Sequence, residues 1–354
     1  MKKVLLILSV LVFALSAFGQ ASTPLKLVQK IPMPNVDGFL DHMGVDIKGQ
    51  RLFVPGEFQK VVEVIDLRTG KVIHTITGFQ HPHTVLYRAS LNELFITDQA
   101  LGCLVFRGNT YQHIKTIRFG PGADNAYYDP ANQDFYVTMW NHAAHSGNSK
   151  IAIVDTRTAA LVGEIPIPGG GDIQGIAFDP SSPRMFLDIA SRSEIDVIDL
   201  TKRAIVATWP VPEGPWPYAI ALDSADHRLF VASRIEPFPH YFRPGKLLVL
   251  DSETGRLITT VKMAGGADEA FYDAARRRIY IPGGDGFVDV IQQIDPDHYR
   301  TLARVPTGVM AKTGLFVPEL NRFYAAVPER RVFVKPLKIP KVEPAEVEVL
   351  TVTP

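Results

Sequence analysis

Short apolar strands separated by turn residues recur along this chain at a nearly constant interval. Runs of the Leu-Phe-Val type start at Leu52, Leu94, Phe135, Met185, Leu229, Ile279 and Phe323, so successive starts lie 42, 41, 50, 44, 50 and 44 residues apart. Five of them are trailed by a second strand ending in an acid, at Asp66, Asp155, Asp199, Asp251 and, more loosely, Asp289. The first unit shows the scheme best: residues 44–46, 51–54, 62–66 and 71–76 read as four strands, with Thr69-Gly70 a hairpin turn whose Gly supplies positive φ. Residues 229–231, 247–251 and 257–261, with Thr254-Gly255, repeat it. Helical periodicity is absent. A repeat of this length built from short strands predicts an all-β chain, a seven-bladed β-propeller with one four-stranded blade per repeat.

The ends complete the ring. Residues 313–317, 322–326 and 346–352 supply three strands of the last unit, and 25–31 is a strand without a unit of its own. Pairing the N-terminal strand into the last blade closes the ring and removes its open edges. A variable stretch, 328–344, lies inside that unit. No low-complexity linker interrupts residues 22–354, which read as a single domain.

The first residues have a different character. Lys2 and Lys3 precede an apolar run, 4–18, too short to span a bilayer comfortably, and Ala17, Gly19 and Ala21 offer small residues for cleavage. Residues 1–21 are therefore expected to be a signal peptide, and the protein periplasmic or secreted. No cysteine lies near the cleavage point, which excludes a lipoprotein anchor, and no later stretch is apolar enough for a membrane span. Cys103, the single cysteine, lies in the run Cys103-Leu104-Val105-Phe106 and reads as a small buried hydrophobe. Lys plus Arg and Asp plus Glu both number 37, so removing Lys2 and Lys3 leaves the remainder at 35 − 37 = −2. That balance gives no electrostatic reason to expect nucleic acid as a partner. The one basic run, Arg276-Arg277-Arg278, is expected at a solvated hairpin tip.

Phe95-Ile96-Thr97-Asp98 and Tyr136-Val137-Thr138-Met139, together with the Val-Ile-Asp and Thr-Gly-Lys elements, resemble the YVTN β-propeller repeat family of secreted bacterial proteins. The resemblance covers about residues 40–354, although no unit reads Tyr-Val-Thr-Asn in full and units three and five carry insertions. It implies a seven-bladed ring and export, and it transfers no catalytic residue.

Aligning the innermost strands locates candidate chemistry. Five residues before the shared position come Asp41, His83, Asp124, Gln174, Tyr218, Asp268 and Thr313; four before it come His42, Thr84, Asn125, Gly175, Ala219, Glu269 and Gly314. These rows are expected at one mouth of the central channel. Insertions 140–145 and 238–242 add to that face, so six of the ten histidines (His42, His81, His83, His142, His145, His240) are expected on one rim. Clustered His, Asp and Glu in a concave site are the material of metal binding or acid–base work, although a wet channel lining is polar in any case. Asp41, Asn125, Asp268 and Glu269 are oxygen donors that suit Ca²⁺, whereas His42 and His83 suit Zn²⁺ or copper. Trp140, Trp216, Tyr218 and Tyr241 offer an aromatic wall for an organic ligand. Gly169-Gly170-Gly171 lacks the Lys-Ser/Thr of a phosphate loop, and neither a Gly-x-Ser-x-Gly elbow nor a His-Glu-x-x-His helix occurs. The acids ending the Val-Ile-Asp strands are expected to cap the following turns.

Two functions remain in play. One is a module binding a small molecule or protein partner at the channel mouth. The other is a metal-dependent (Ca²⁺ or Zn²⁺) lactonase-like hydrolase or lyase, with Asp41, Asn125, Asp268 and Glu269 as ligands and His83 or His42 as base. A quinone- or copper-using redox enzyme has less support, because no cysteine pair or tight histidine array exists.

Overall fold

Second and third strands in each repeat are continuous apolar runs because both of their faces meet a neighbouring blade, whereas fourth strands alternate with solvent. In blade 1, Arg51–Gly56 and Val61–Asp66 are almost wholly buried and Lys71–Ile76 is largely exposed. The computed structural model describes residues 23–141, 143, 147–234, 242–334 and 339–354. Its strands form seven four-stranded antiparallel sheets, numbered here as blades 1–7 in chain order, plus a two-stranded hairpin. Among the described residues, no helix is long and apolar enough to cross a membrane.

Among the described residues the apolar core is divided rather than central. Seven apolar clusters sit instead at the seven blade-to-blade contacts, as where Phe53 and Val64 of blade 1 meet Leu94, Ile96 and Phe106 of blade 2. The residue after each repeat start is aromatic in every blade: Phe53, Phe95, Tyr136, Phe186, Phe230, Tyr280 and Tyr324, all at most 3% exposed. Each ring fills one wedge, and truncating such a side chain costs roughly 3–5 kcal/mol.

Ring closure follows the sequence expectation. Leu25–Met33 pairs antiparallel with Ala345–Val352, from Leu25 opposite Val352 to Met33 opposite Ala345, and Ala345–Val352 pairs in turn with Arg322–Val327. The turn acids also behave as expected: Asp66 accepts from the Arg68 and Thr69 amides, Asp155 from Arg157, Asp199 from Thr201 and Lys202, and Asp251 from Glu253 and Thr254.

Three details differ from the sequence reading. Asp289 is not a strand end but a buried mid-strand residue of Phe287–Gln293; the capping acid of blade 6 is Asp295, which accepts from Asp297 and His298. The arginine run is no solvated tip. Arg276 reaches Asn321, Arg277 pairs with Asp226, and buried Arg278 donates to the Thr353 carbonyl, so the three clasp neighbouring blades. The variable stretch contains the hairpin of Arg330–Val334 with Ile339–Glu343. The signal-peptide segment, His142, His145, His240 and Tyr241 lie outside the described residues.

Candidate functional site

Interruptions of the strand ladder, rather than the strands themselves, deliver side chains to the channel mouth. In blades 2–5 the pairing of first and second strands slips between Pro82 and Val85, Ala123 and Ala126, Ile173 and Ile176, and Pro217 and Ala219. The residues inside these slips are His83-Thr84, Asp124-Asn125, Gln174-Gly175 and Tyr218. A bulge leaves a residue unpaired and re-aims its side chain. Blades 1 and 6 reach the same place differently. Their inner strands, Gly44–Asp46 and Phe271–Asp273, are only three residues long, so Asp41-His42 and Asp268-Glu269 precede them outside any strand. The Asp41 amide bonds the Pro55 carbonyl at 3.1 Å, the Asp268 amide bonds the Lys312 carbonyl at 3.1 Å, and the Thr313 hydroxyl donates to the Leu40 carbonyl at 3.2 Å, tying blade 7 to blade 1.

Asp41, His42, Glu57, His83, Asp124, Asn125, Gln174, Tyr218, Asp268 and Lys312 together line a cavity of about 140 Å³ on the axis, with Trp140 at its side. Of the first expected row, all but Thr313 are thus brought together, whereas the second row contributes only His42 and Asn125. Trp216 is not among the lining residues. Glu269 stands just behind, bonded to His42.

One half of the mouth is a chain of imidazoles and carboxylates. His83 Nδ1 lies 2.6 Å from Asp41 Oδ2 and 3.2 Å from Asp124 Oδ1. Its Nε2 faces His81 Nδ1 at 3.0 Å, and His81 Nε2 lies 3.9 Å from Glu57 Oε2. The Trp140 indole N–H donates to Asp124 Oδ2 at 2.7 Å. In the other half, His42 Nδ1 meets Glu269 Oε1 at 2.7 Å while its Nε2 lies 3.2 Å from Asp41. Asp268 is paired with both Lys312 and Arg234, and the Arg234 guanidinium lies over the Tyr218 ring, 3.3 Å from its centroid. Asn125 donates to Gln174 at 3.2 Å, and Gln174 to Asp172 at 2.6 Å.

The electrostatics follow from burial. Burial works against both imidazolium ions, yet Asp41 and Glu269 raise His42 to about 9, and Asp124 and Asp41 raise His83 to about 9. Burial would also push the Asp41 carboxyl up, but His42 and His83 hold it well below the usual carboxylate range. Burial, with the Asp41 charge beside it, lifts Glu57 to about 7. Near neutral pH His42 and His83 are therefore held as cations against the Asp41 anion.

Metal-sized groupings differ from the set expected on hardness alone. Among the described residues, donor atoms within 4.8 Å of one another come from Glu57, His81 and His83, and from Asp41, His83 and Asp124. Asp268 is occupied by its two cations, Glu269 by His42 and the Gly314 amide, and Asn125 by Gln174.

Glu57, Arg234 and Lys312 stand outside the two aligned rows. Glu57 and Arg234 belong to a third row, five residues after each repeat start: Glu57, Gln99, Trp140, Ala190, Arg234, Gly284 and Pro328. These residues follow the second strands, on the same face, and the same arithmetic would have found them. Lys312 adjoins Thr313 in the first row.

No family model matches the chain, nor does any curated protein. Among solved structures it is similar to Kuenenia stuttgartiensis hydrazine synthase, with a TM-score of 0.65 and 16% identity over 89% of this chain and 96% of that one. The likeness shows the fold. At that identity it carries nothing about the site.

Proposed function

We propose that this protein is an exported seven-bladed propeller, a divergent relative of the YVTN repeat proteins, that binds a small polar ligand at its channel mouth. The observation that carries the reading is the convergence of polar groups from all seven blades, most of them buried and many of them mutually compensating ions, on one small cavity. Buried ion pairs contribute less to stability than apolar packing of the same volume, so a ring needing only stability gains little from this arrangement. Concave sites with a few convergent polar groups are where small ligands bind. A cavity of about 140 Å³ suits a small molecule rather than a protein segment. Balanced net charge supports a partner other than nucleic acid.

Native mass spectrometry of the purified protein should detect a retained small molecule, and a thermal-shift screen of small polar compounds should identify its class. His42→Ala and Tyr218→Ala should each weaken binding at least tenfold; unchanged affinity in both would remove the mouth as the site. Export is checked by sequencing the mature N-terminus, expected just after Gly19 or Ala21. A second reading, metal-dependent lactonase-like hydrolysis, is favoured by the grouping of imidazole and carboxylate donors. Turnover of lactone or ester substrates that depends on added metal would support it, and inertness with every metal tried would exclude it.

A further inference from the structure

We propose that Glu57, His81 and His83 form a mononuclear site for a first-row transition dication such as Zn²⁺, with Asp41 and Asp124 holding His83 in the ligating tautomer. The inference deepens the reading of the mouth as a binding site and confines the metal to its blade 1–2 side.

The argument begins with His83. Two carboxylates flank its Nδ1, at 2.6 Å and 3.2 Å, so that nitrogen carries a proton and donates it. Once the ring is neutral, Nε2 must offer its lone pair, and it points at His81 Nδ1, 3.0 Å away. Two nitrogens that close need one cation between them, either a proton or a metal. Metal-ligating histidines commonly donate the opposite ring N–H to a carboxylate, which orients the ring and raises its basicity. Asp41 fills that role here, and Asp124 is itself held by the Trp140 indole.

His81 is equally well placed. Its amide and that of Gln80 donate to the buried Asp98 carboxylate at 2.9 Å and 2.7 Å, its carbonyl accepts from Gln99, and its ring meets Phe58 edge-on at 5.6 Å. Glu57 supplies the oxygen that completes a His₂Glu set, whose three donor atoms lie within 4.8 Å of one another. Two imidazoles and one carboxylate with a remaining open position make a borderline-soft set, suited to Zn²⁺ and its neighbours rather than Ca²⁺. The open position exists: the His81 side chain is 26% exposed, whereas His83 is 6% exposed. Three carboxylates around the pair favour a divalent ion over the single proton it would displace; of the nearby cations, Lys312 is engaged by Asp268 and His42 by Glu269. The alternative grouping of Asp41, His83 and Asp124 is less suited to metal, since its short contacts are satisfied by the Nδ1 proton.

The test uses the full-length protein freed of metal by chelator and titrated with Zn²⁺ against a chromophoric competitor. One equivalent should bind. His81→Ala, His83→Ala and Glu57→Gln should each weaken it at least tenfold, and Asp41→Asn roughly 10–100-fold as an orienting residue. His298→Ala, at an exposed turn, should leave affinity unchanged. Co²⁺ added to the unmutated protein should give the intense visible absorption of a low-coordinate nitrogen–oxygen site, which tests the site without any variant having to fold. Absence of stoichiometric Zn²⁺ binding, or equal affinity in His81→Ala and Glu57→Gln, would overturn the proposal and leave the atoms as a proton relay. Small-ligand binding that persists without metal would sink this inference alone; Zn²⁺ bound with no small ligand would sink the functional reading alone.

Discussion

Asp188→Asn is expected to stabilise the ring, and to do so more strongly as pH rises. Asp188 is completely buried in blade 4, where Oδ1 accepts from the Gln174 and Gly175 amides at 3.1 Å and 3.0 Å while Oδ2 has no hydrogen-bond partner. Burial, with the Asp172 charge added to it, raises its carboxyl from 3.8 to about 8. Between those two values the folded chain keeps a proton that the unfolded chain releases. Unfolding free energy therefore falls by about 1.4 kcal/mol per pH unit across that window. From pH 4 to pH 7 the loss is at most about 4 kcal/mol. An asparagine keeps the carbonyl acceptor for both amides and has nothing to ionise. The variant should match the parent near pH 4 and exceed it progressively up to about pH 8, as read from urea unfolding of both proteins at several pH values. A gap that stays constant with pH would refute the reasoning, because it would mean that the folded state accommodates the Asp188 anion as readily as water does.

Three other expectations concern the mouth and the seam. Folded pKa values raised from 6.5 to about 9 mean that the stabilisation from His42 and His83 is complete below about pH 6.5 and lost as pH climbs through about 9. NMR titration of the two rings should place both midpoints near 9, and midpoints near 6.5 would contradict the proposed ion network. Asp41→Asn, which leaves both imidazolium ions short of a counter-charge, should destabilise by roughly 3–5 kcal/mol and lower the His83 midpoint. An Asn variant as stable as the parent would show that Asp41 is not the hub. Deleting residues 1–33 removes buried Leu25, Ile31 and Met33 together with the outer ladder of blade 7. The shortened chain should lose its cooperative melt and regain it with a peptide of residues 23–33; an unchanged melt would mean that the seam does not hold the ring.

The blades were legible in the sequence because packing imposes the same demand seven times. Wherever a strand is sandwiched between neighbours, its apolar run recurs, and the turn acids recur with it. Blade 6 misled for a physical reason. The Asp in Val288-Asp289-Val290-Ile291 resembles a strand terminus, but the ladder runs on to Gln293 and leaves a carboxylate inside, where burial and the nearby Arg304 set its charge in opposition. The mouth was legible as two rows of non-repeating residues, since these positions are released from packing. Pairings inside it were not. Whether Asp268 faces a metal or two cations depends on side chains from blades 5 and 7 that no local pattern links. The bulges were invisible for a similar reason: a register slip belongs to two strands at once.

The seam also dictates the order of events in folding. Thr23 and Thr353, bonded to each other, are 330 positions apart, whereas the strands of blades 1–6 pair with their immediate successors. Contacts of such separation form late, after the local ones have been made. Blades 1–6 are thus free to assemble on a growing chain as it emerges, while the seventh waits for residues 345–352. Until then blade 1 lacks its neighbour, and Asp41 and His42 lack the Lys312–Thr313 side of the mouth. On the proposed reading, binding at the mouth would arrive in a single step with topological closure, and a chain cut just before that strand would carry most of its sheets without a closed ring.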